Sequence, residues 1–281
     1  MTPLATMLDE RARANRAAIS KLRTRSALPP AALVAVVAAV LVALPTTIVV
    51  GVVVGLAVGV ALGWWRRQVA GDRAVGVLLE LLDARPATEE EFPRYLNLVE
   101  GLSITTGIEQ PTLYVVDDPA ANAAALGAGA NAALVLTTGL LGGIGRVELE
   151  GVLAEELARI RVLDADVAAR GALLAFGPLL RRSVTTDSSS GPEPGRGKSP
   201  RLATVLDGRR HFIADMSASS MTRYPPGLRD ALVKMQSIGT AVSGVTWGTA
   251  HLWMCNPLPL PDGDQTDHPP LQHRIDLLAE L

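Results

Sequence analysis

The sequence predicts an α+β fold: a mainly helical domain with a small β-sheet, preceded by a two-helix transmembrane hairpin. Two observations predict it. Residues 30–65 contain no charged side chain, a run too long for one membrane helix of about 20 residues and enough for two short ones. Beyond that run, helical apolar periodicities alternate with short β-branched stretches, the pattern of helices gathered around a few strands.

Residues 1–28 form a basic segment carrying Arg11, Arg13, Arg16, Lys21, Arg23 and Arg25, expected to be cytoplasmic. Residues 29–66 are the expected hairpin, with its turn at Pro45-Thr46-Thr47 and interfacial anchors at Trp64 and Trp65. Arg66 and Arg67 follow, so basic residues flank both ends. The positive-inside rule then predicts a multi-pass protein of the inner (plasma) membrane, with both termini and the main domain cytoplasmic. The apolar run is too long for a cleaved signal peptide. Gly51, Gly55, Gly59 and Gly63 recur every four residues, a packing face for a second helix.

The main domain is expected over residues 70–182 and 202–281. Helices are predicted over 72–90, ended by Pro86, and over Glu89–Thr106, where Tyr95, Leu98, Val99 and Leu102 share a face. Strands are predicted at Pro111–Val116, closed by Asp117-Asp118-Pro119, and at Ala132–Thr138 before Gly139. The helical pattern returns over Arg146–Arg170. Ala172–Leu180 is apolar but too short to span a bilayer, and is expected as a core helix, with an interfacial dip as the alternative. Residues 183–201, rich in Ser, Gly and Pro, have almost nothing to bury and read as a flexible linker inserted in the domain. Helices resume at Leu202 and continue through Met235.

Composition excludes several classes of function. A net charge of −2 leaves no electrostatic case for nucleic-acid binding. The single cysteine, Cys255, excludes an internal disulfide framework and a cysteine-rich zinc site. Four histidines, His211, His251, His268 and His273, leave few imidazoles for a metal.

The chemistry-bearing stretch is Val147–Arg161. A zinc-peptidase helix of the H-E-x-x-H type sets two imidazoles one turn apart to clamp the metal, and the glutamate between them activates water. Aligned on that pattern, Glu155 stands in the first histidine position, Glu156 in the general-base position and Arg159 in the second histidine position. Glu155 precedes Arg159 by four residues, the favourable order for an intrahelical ion pair. A buried pair of this kind needs further partners to offset desolvation.

Several blocks, in order, resemble one family, the HtpX-type membrane zinc metallopeptidases, relatives of the CAAX prenyl proteases. Gly107–Asp117 resembles the strand leading to their substrate edge, and Asn122-Ala-Ala-Ala-Leu-Gly127 is similar to the segment that follows it. Val135–Leu141 and Glu148–Leu157 resemble the approach to the active-site helix and the helix itself. His211-Phe-Ile-Ala-Asp215, Pro225–Lys234 and Asp267-His-Pro-Pro-Leu-Gln-His-Arg-Ile275 are similar to the later blocks. The resemblance covers roughly residues 70–281.

What the resemblance implies is a zinc site held by two histidines and a glutamate. Their positions here carry Glu155, Arg159 and His211, so all three ligand positions are replaced. The Arg159 guanidinium is then expected in the space of the metal, with Glu156 and His211 as further partners. Arginine cannot become a ligand. His211 is open between that network and an ordinary core position, and the whole set between a cleft floor and a solvated helix face. Asp164, Asp166 and Asp215 read as supporting acids around the site or as ordinary salt bridges. His268 and His273 are expected with the tail signature and its surface. Asn122, Ala123 and Leu136 mark a peptide-binding edge able to capture an extended segment by strand addition.

Three readings follow. The first is a membrane-anchored pseudopeptidase: no cofactor, Glu156 idle, and the cleft used to bind or regulate another membrane protein. The alternative is a divergent active zinc metalloendopeptidase of membrane-protein quality control, with Glu155, His211 and an aspartate as rearranged ligands. The third is a structural subunit of a larger membrane complex. The bilayer is a partner in all three.

Overall fold

The computed structural model describes residues 3–43, 53–61, 73–183, 206, 208–246, 248–258 and 268–281. The domain is α+β, as the sequence predicts, mainly helical around one four-stranded mixed sheet in the order β1-β2-β4-β3. β1 (Arg85–Pro86) runs antiparallel to β2 (Thr112–Val116), β2 parallel to β4 (Ala133–Thr137), and β3 (Ala123–Leu126) antiparallel to β4.

β4 is buried along its whole length because both of its faces are covered. Leu134 and Leu136 enter one apolar cluster with Leu149, Val152 and Leu153, while Ala133 and Val135 enter a second with Leu78, Ala168 and Trp253. A strand buried on both faces reads as a continuous apolar run rather than an alternation.

Helix α1 (Pro3–Ala43) is continuous through the basic segment and into the apolar run. Its first half docks on the domain: Ile19 and Leu22 pack with Val167, and the Asn15 amide donates to Val162 O at 2.8 Å. Residues 53–61 are also helical, and we label them α2; Gly55 and Gly59 are buried there while the residues around them are exposed. Among the described residues no helix is both long and apolar enough to cross a membrane. The expected turn at Pro45-Thr46-Thr47, the Trp64–Arg67 boundary and the linker from 184 onward lie outside the described residues.

Several predicted boundaries shift. Helix α3 covers only Ala74–Leu81, because Asp83 takes a positive φ of 51° and the chain turns into β1. Helix α4 starts at Pro93 rather than Glu89, with proline in the first turn where no N–H is needed, and ends at Thr106 before Gly107, whose φ is +66°. Helix α5 is Thr138–Gly143. The single helix expected over Arg146–Arg170 is two, α6 (Arg146–Arg161) and α7 (Asp164–Ser183), separated by a left-handed turn at Leu163 with φ 63°. Helices α8 (Arg210–Thr222), α9 (Pro225–Ile238) and α10 (Leu271–Ala279) complete the domain.

α6 is the central helix. Residues 151–160 are all buried, so no face of that stretch meets solvent. Helix α9 approaches so closely that a Cβ on Gly151 would lie 2.6 Å from Leu228 N. A helix buried on every side is ordinarily apolar throughout. This one carries Glu155, Glu156 and Arg159, and that exception locates the site.

Candidate functional site

Glu155, Glu156 and Arg159 are 0, 0 and 1 % exposed. They are therefore not a solvated helix face. His211, on α8, is fully buried as well. Each charge here must be answered locally, because an unpaired ion away from water is costly.

The pairing differs from the expected one. Arg159 does not pair with Glu155. Its Nη1 donates to both oxygens of Glu156, at 3.0 and 3.2 Å, in an i,i+3 pair. Its Nε donates to Asp164 at 3.4 Å and its Nη2 to the carbonyl of Leu252 at 3.1 Å. The turn at Leu163 swings Asp164 back towards the end of α6, which is how a residue on the next helix completes this guanidinium. Asp164 also lies 3.5 Å from Arg210 and 3.4 Å from Arg11 of the N-terminal helix.

Glu155 points to a different cation. Its Oε1 lies 3.6 Å from Nη2 of Arg274, and neither oxygen has a hydrogen-bond partner. Arg274 is engaged mainly by Asp215, at 2.7 and 2.8 Å, a two-pronged pair of the strong kind, and it donates to Met254 O at 2.8 Å. Asp164 and Asp215 are thus supporting acids, whereas Asp166 makes only a local pair with Arg170.

The electrostatics follow from burial set against these guanidiniums. Burial, aided by the neighbouring Glu156, pushes Glu155 well above the ordinary carboxylate range. Burial raises Glu156 too, opposed by Arg159, Arg274 and Arg210; both its oxygens accept from Arg159, the arrangement of an ionised carboxylate. Asp164 is lowered despite burial, because Arg210, Arg159 and Arg11 surround it. Burial would weaken the charge on Arg159, but Glu156, Glu155 and Asp164 outweigh it. Burial and the adjacent Arg210 hold His211 and His268 well below the usual histidine value, and His251 at about 3, so all three are neutral.

His268, expected at the surface, is buried instead. Its ring lies 5.1 Å from that of His211, and its Nε2 donates to Trp253 O at 2.9 Å. Its burial follows from that backbone bond, which draws the imidazole under the segment 250–258. His211 has no hydrogen-bond partner at either ring nitrogen. His273 lies on the outer face, edge-on to Phe212.

The peptide-edge residues divide. Asn122 and Ala123 open the edge strand β3. Leu136 lies on the interior strand β4, opposite Ala123, with its side chain in the core. The outer side of β3 is already taken by the chain itself: Ala124 bridges Trp253, and Met254 N donates to Ala123 O at 2.7 Å.

Sequence reasoning passes over Arg210 and Arg274 as site residues. The signal for Arg274 is nonetheless present. Leu271, Ile275 and Leu278 form the buried stripe of α10, and Arg274 falls on it. A cation on an apolar stripe marks a buried pair.

The model of peptidase family M48 matches residues 90–281. Among the similar proteins, a protease HtpX homologue of Dictyoglomus thermophilum is 37 % identical over 223 residues, 71 % of this chain and 73 % of that protein. The homologue of Dictyoglomus turgidum is 35 % identical over 221 residues, with the same shares of each chain. That of Tropheryma whipplei strain TW08/27 is 34 % identical over 221 residues, 70 % of this chain and 76 % of that protein. No solved structure matches. A central helix with the peptidase pattern, a sheet edge beside it and these likenesses together mean that the chain belongs to peptidase family M48 and, within it, to the HtpX type.

Proposed function

We propose that this chain is a membrane-anchored pseudopeptidase, which keeps the metallopeptidase fold and uses its cleft for binding or regulation rather than hydrolysis. One observation carries the reading: Arg159, where the family's second imidazole would stand, is held on three sides by Glu156, Asp164 and Leu252 O. A fixed guanidinium repels a dication by several kcal/mol at an intermediate dielectric. The donor set does not fit zinc in other respects either. Zinc takes three or four side-chain ligands in tetrahedral array, and among the described residues no group of three or more His, Cys, Asp or Glu converges to hold a metal. With Arg159 bound to both its oxygens, Glu156 is occupied as the counter-ion of that guanidinium.

A second reading, a zinc endopeptidase with rearranged ligands, draws on the unpartnered oxygens of Glu155 and the unpartnered ring nitrogens of His211. Metal analysis of the purified full chain separates the two. Zinc far below one per chain is expected. One zinc per chain, lost in Glu155→Ala or His211→Ala, would overturn the pseudopeptidase reading. In the triple variant Glu155→His, Arg159→His, His211→Glu, zinc binding should return.

Membrane anchorage, with a membrane protein as partner, is part of the same proposal. Leu33, Val36, Val53, Leu56 and Val60 are exposed apolar side chains on helices of the uncharged run, and an exposed apolar band is at rest only in lipid or against another protein. Multi-pass insertion in the inner membrane, with the domain cytoplasmic, agrees with the flanking arginines.

A further inference from the structure

The buried polar network of this domain holds a length of its own chain as a peptide ligand would be held. From His251 to Pro257, every backbone carbonyl accepts from a group elsewhere in the sequence. His251 O accepts from Arg210, Leu252 O from Arg159 at 3.1 Å, and Trp253 O from His268 at 2.9 Å. Met254 O accepts from Arg274 at 2.8 Å, and Cys255 O from Asn122 at 3.0 Å. Asn256 O accepts from the Thr240 hydroxyl at 2.7 Å, and Pro257 O from Val242 N at 3.0 Å.

Five of these seven donors are side chains that crowd the degenerate site and the sheet edge. Asn122 grips Cys255 by both backbone groups, since its Oδ1 also accepts from Cys255 N at 3.2 Å. After one 3-10 turn at Ala250–Leu252 the segment meets the outer side of β3, antiparallel, with Trp253 opposite Ala124 and Met254 N donating to Ala123 O. That single bridge is a short form of strand addition, the mode by which a sheet edge takes a peptide. Leu252, Trp253, Met254 and Cys255 are all buried, and the Trp253 indole fills the cluster formed by Leu78, Ala124, Leu126 and Val135.

We propose that residues 250–258 are a resident pseudo-ligand of the β3 edge, and that the site they occupy is built for an apolar peptide that enters by one tight turn and carries one aromatic side chain. Backbone carbonyls carry no side-chain identity, so the buried cations Arg159, Arg210 and Arg274, with Asn122, recognise the peptide backbone in general. Selectivity comes from the indole pocket. The guanidinium standing in the second histidine position then has a positive role as a peptide-carbonyl donor. The inference deepens the binding function proposed above and rests on it for the claim that the cleft serves a partner. Held in the same chain, the segment competes at an effective concentration on the order of millimolar, which keeps the edge closed until a partner peptide displaces it.

The test uses the detergent-solubilised full chain and a fluorescein-labelled peptide with the sequence of residues 250–258. Met254→Pro removes the N–H that reaches Ala123 O and leaves every receptor group intact. Fluorescence anisotropy should give binding at least about tenfold tighter to this variant than to the unaltered protein. Equal affinity, or no binding, in a variant whose circular dichroism matches the unaltered protein overturns the proposal. A second measurement needs no variant. Hydrogen exchange of the unaltered chain, read by mass spectrometry at saturating peptide, should lose protection at Met254 and Cys255; unchanged protection overturns the proposal whether or not Met254→Pro folds. Zinc is measured on the same sample. A zinc-loaded hydrolase that still exchanges its segment for the peptide ends the pseudopeptidase reading and leaves this one standing, and a zinc-free chain indifferent to the peptide does the reverse.

Discussion

Two stretches of α6 are held by different physics. In the first half Leu149, Val152, Leu153 and Ala154 are buried and belong to the main hydrophobic cluster. From Glu155 to Arg159 the same helix enters a network in which Arg11, Arg159, Arg210 and Arg274 answer Glu155, Glu156, Asp164 and Asp215. In the first half the apolar side chains are stabilised by area removed from water, so the loss of one strands no charge. In the second half each charge is stabilised only by its partners, so its loss strands another group.

The largest expected effect breaks that comparison open. Arg159→Met removes the cation that faces Glu156 and Asp164 and leaves two carboxylates short of a partner. Breaking a buried pair from one side costs about 3–5 kcal/mol. Adding Glu156→Gln should recover much of that cost, because the stranded charge goes with it. The comparison lies in the apolar half: Leu149→Ala, about two turns from Glu156, should cost about 2–5 kcal/mol through transfer and cavity terms, and its cost should add to that of Glu156→Gln. Urea unfolding of the three single and two double variants reads both. If Arg159→Met and Glu156→Gln also added simply, the polar half would be no network.

Much of this is legible in the sequence, and the part that is not has a physical reason. β2 and β4 carry β-branched residues that mark them as strands. β3 is Ala-Ala-Ala-Leu, a helix-favouring string; it is a strand because β4 and the Trp253 segment flank it, and tertiary pairing of that kind leaves no local trace. Only the family resemblance marks it. The positions Glu155, Glu156 and Arg159 follow from motif spacing alone. Their pairing does not, because spacing along one helix says nothing of Asp164, which a left-handed turn at Leu163 brings back, or of Arg274, which arrives from the last helix of the chain. The docking of the basic N-terminal segment is hidden for a similar reason. Its arginines read as membrane flanks, although Arg11 reaches Asp164, and the other side chains that dock it, Asn15, Ile19 and Leu22, are uncharged.

Acid sharpens the contrast from another direction. His211, His251 and His268 are neutral in the folded protein and their pKa values are lowered, so the unfolded chain binds more protons than the native one once pH drops below about 6.5. Their contribution is complete above that value and is lost as pH falls towards about 3, where His251 titrates. Glu155 and Glu156 oppose them. Their pKa values are raised, so their share is complete below the unfolded value near 4.5 and is lost as pH rises. Three histidines outweigh two carboxyls between pH 4.5 and 6.5, and stability should fall as pH drops across that window. Below it the lowered Asp164 adds to the loss. Urea midpoints measured from pH 7 to pH 4 should decline steadily, and His251→Gln should flatten the decline. A flat profile in the unaltered protein would mean that these rings are reached by water.

The smallest expected effect concerns the junction between the domain and its N-terminal helix. The Asn15 amide donates to Val162 O, a carbonyl at the very end of α6 with no partner inside the helix, and it does so in a buried position. Asn15→Ala should cost about 1 kcal/mol, the ordinary net value of one buried hydrogen bond. The location gives the small number its use. Arg11, four residues earlier on the same helix, lies against Asp164, which is shared with Arg159 and Arg210. If the N-terminal helix is part of the charge network, Asn15→Ala should loosen Arg11 as well. Amide exchange at Arg161–Ala165, the turn between α6 and α7, should then accelerate more than exchange at Leu149–Ala154. Uniform acceleration along α6 would mean that the N-terminal helix stabilises the domain as a whole and has no particular hold on its polar half.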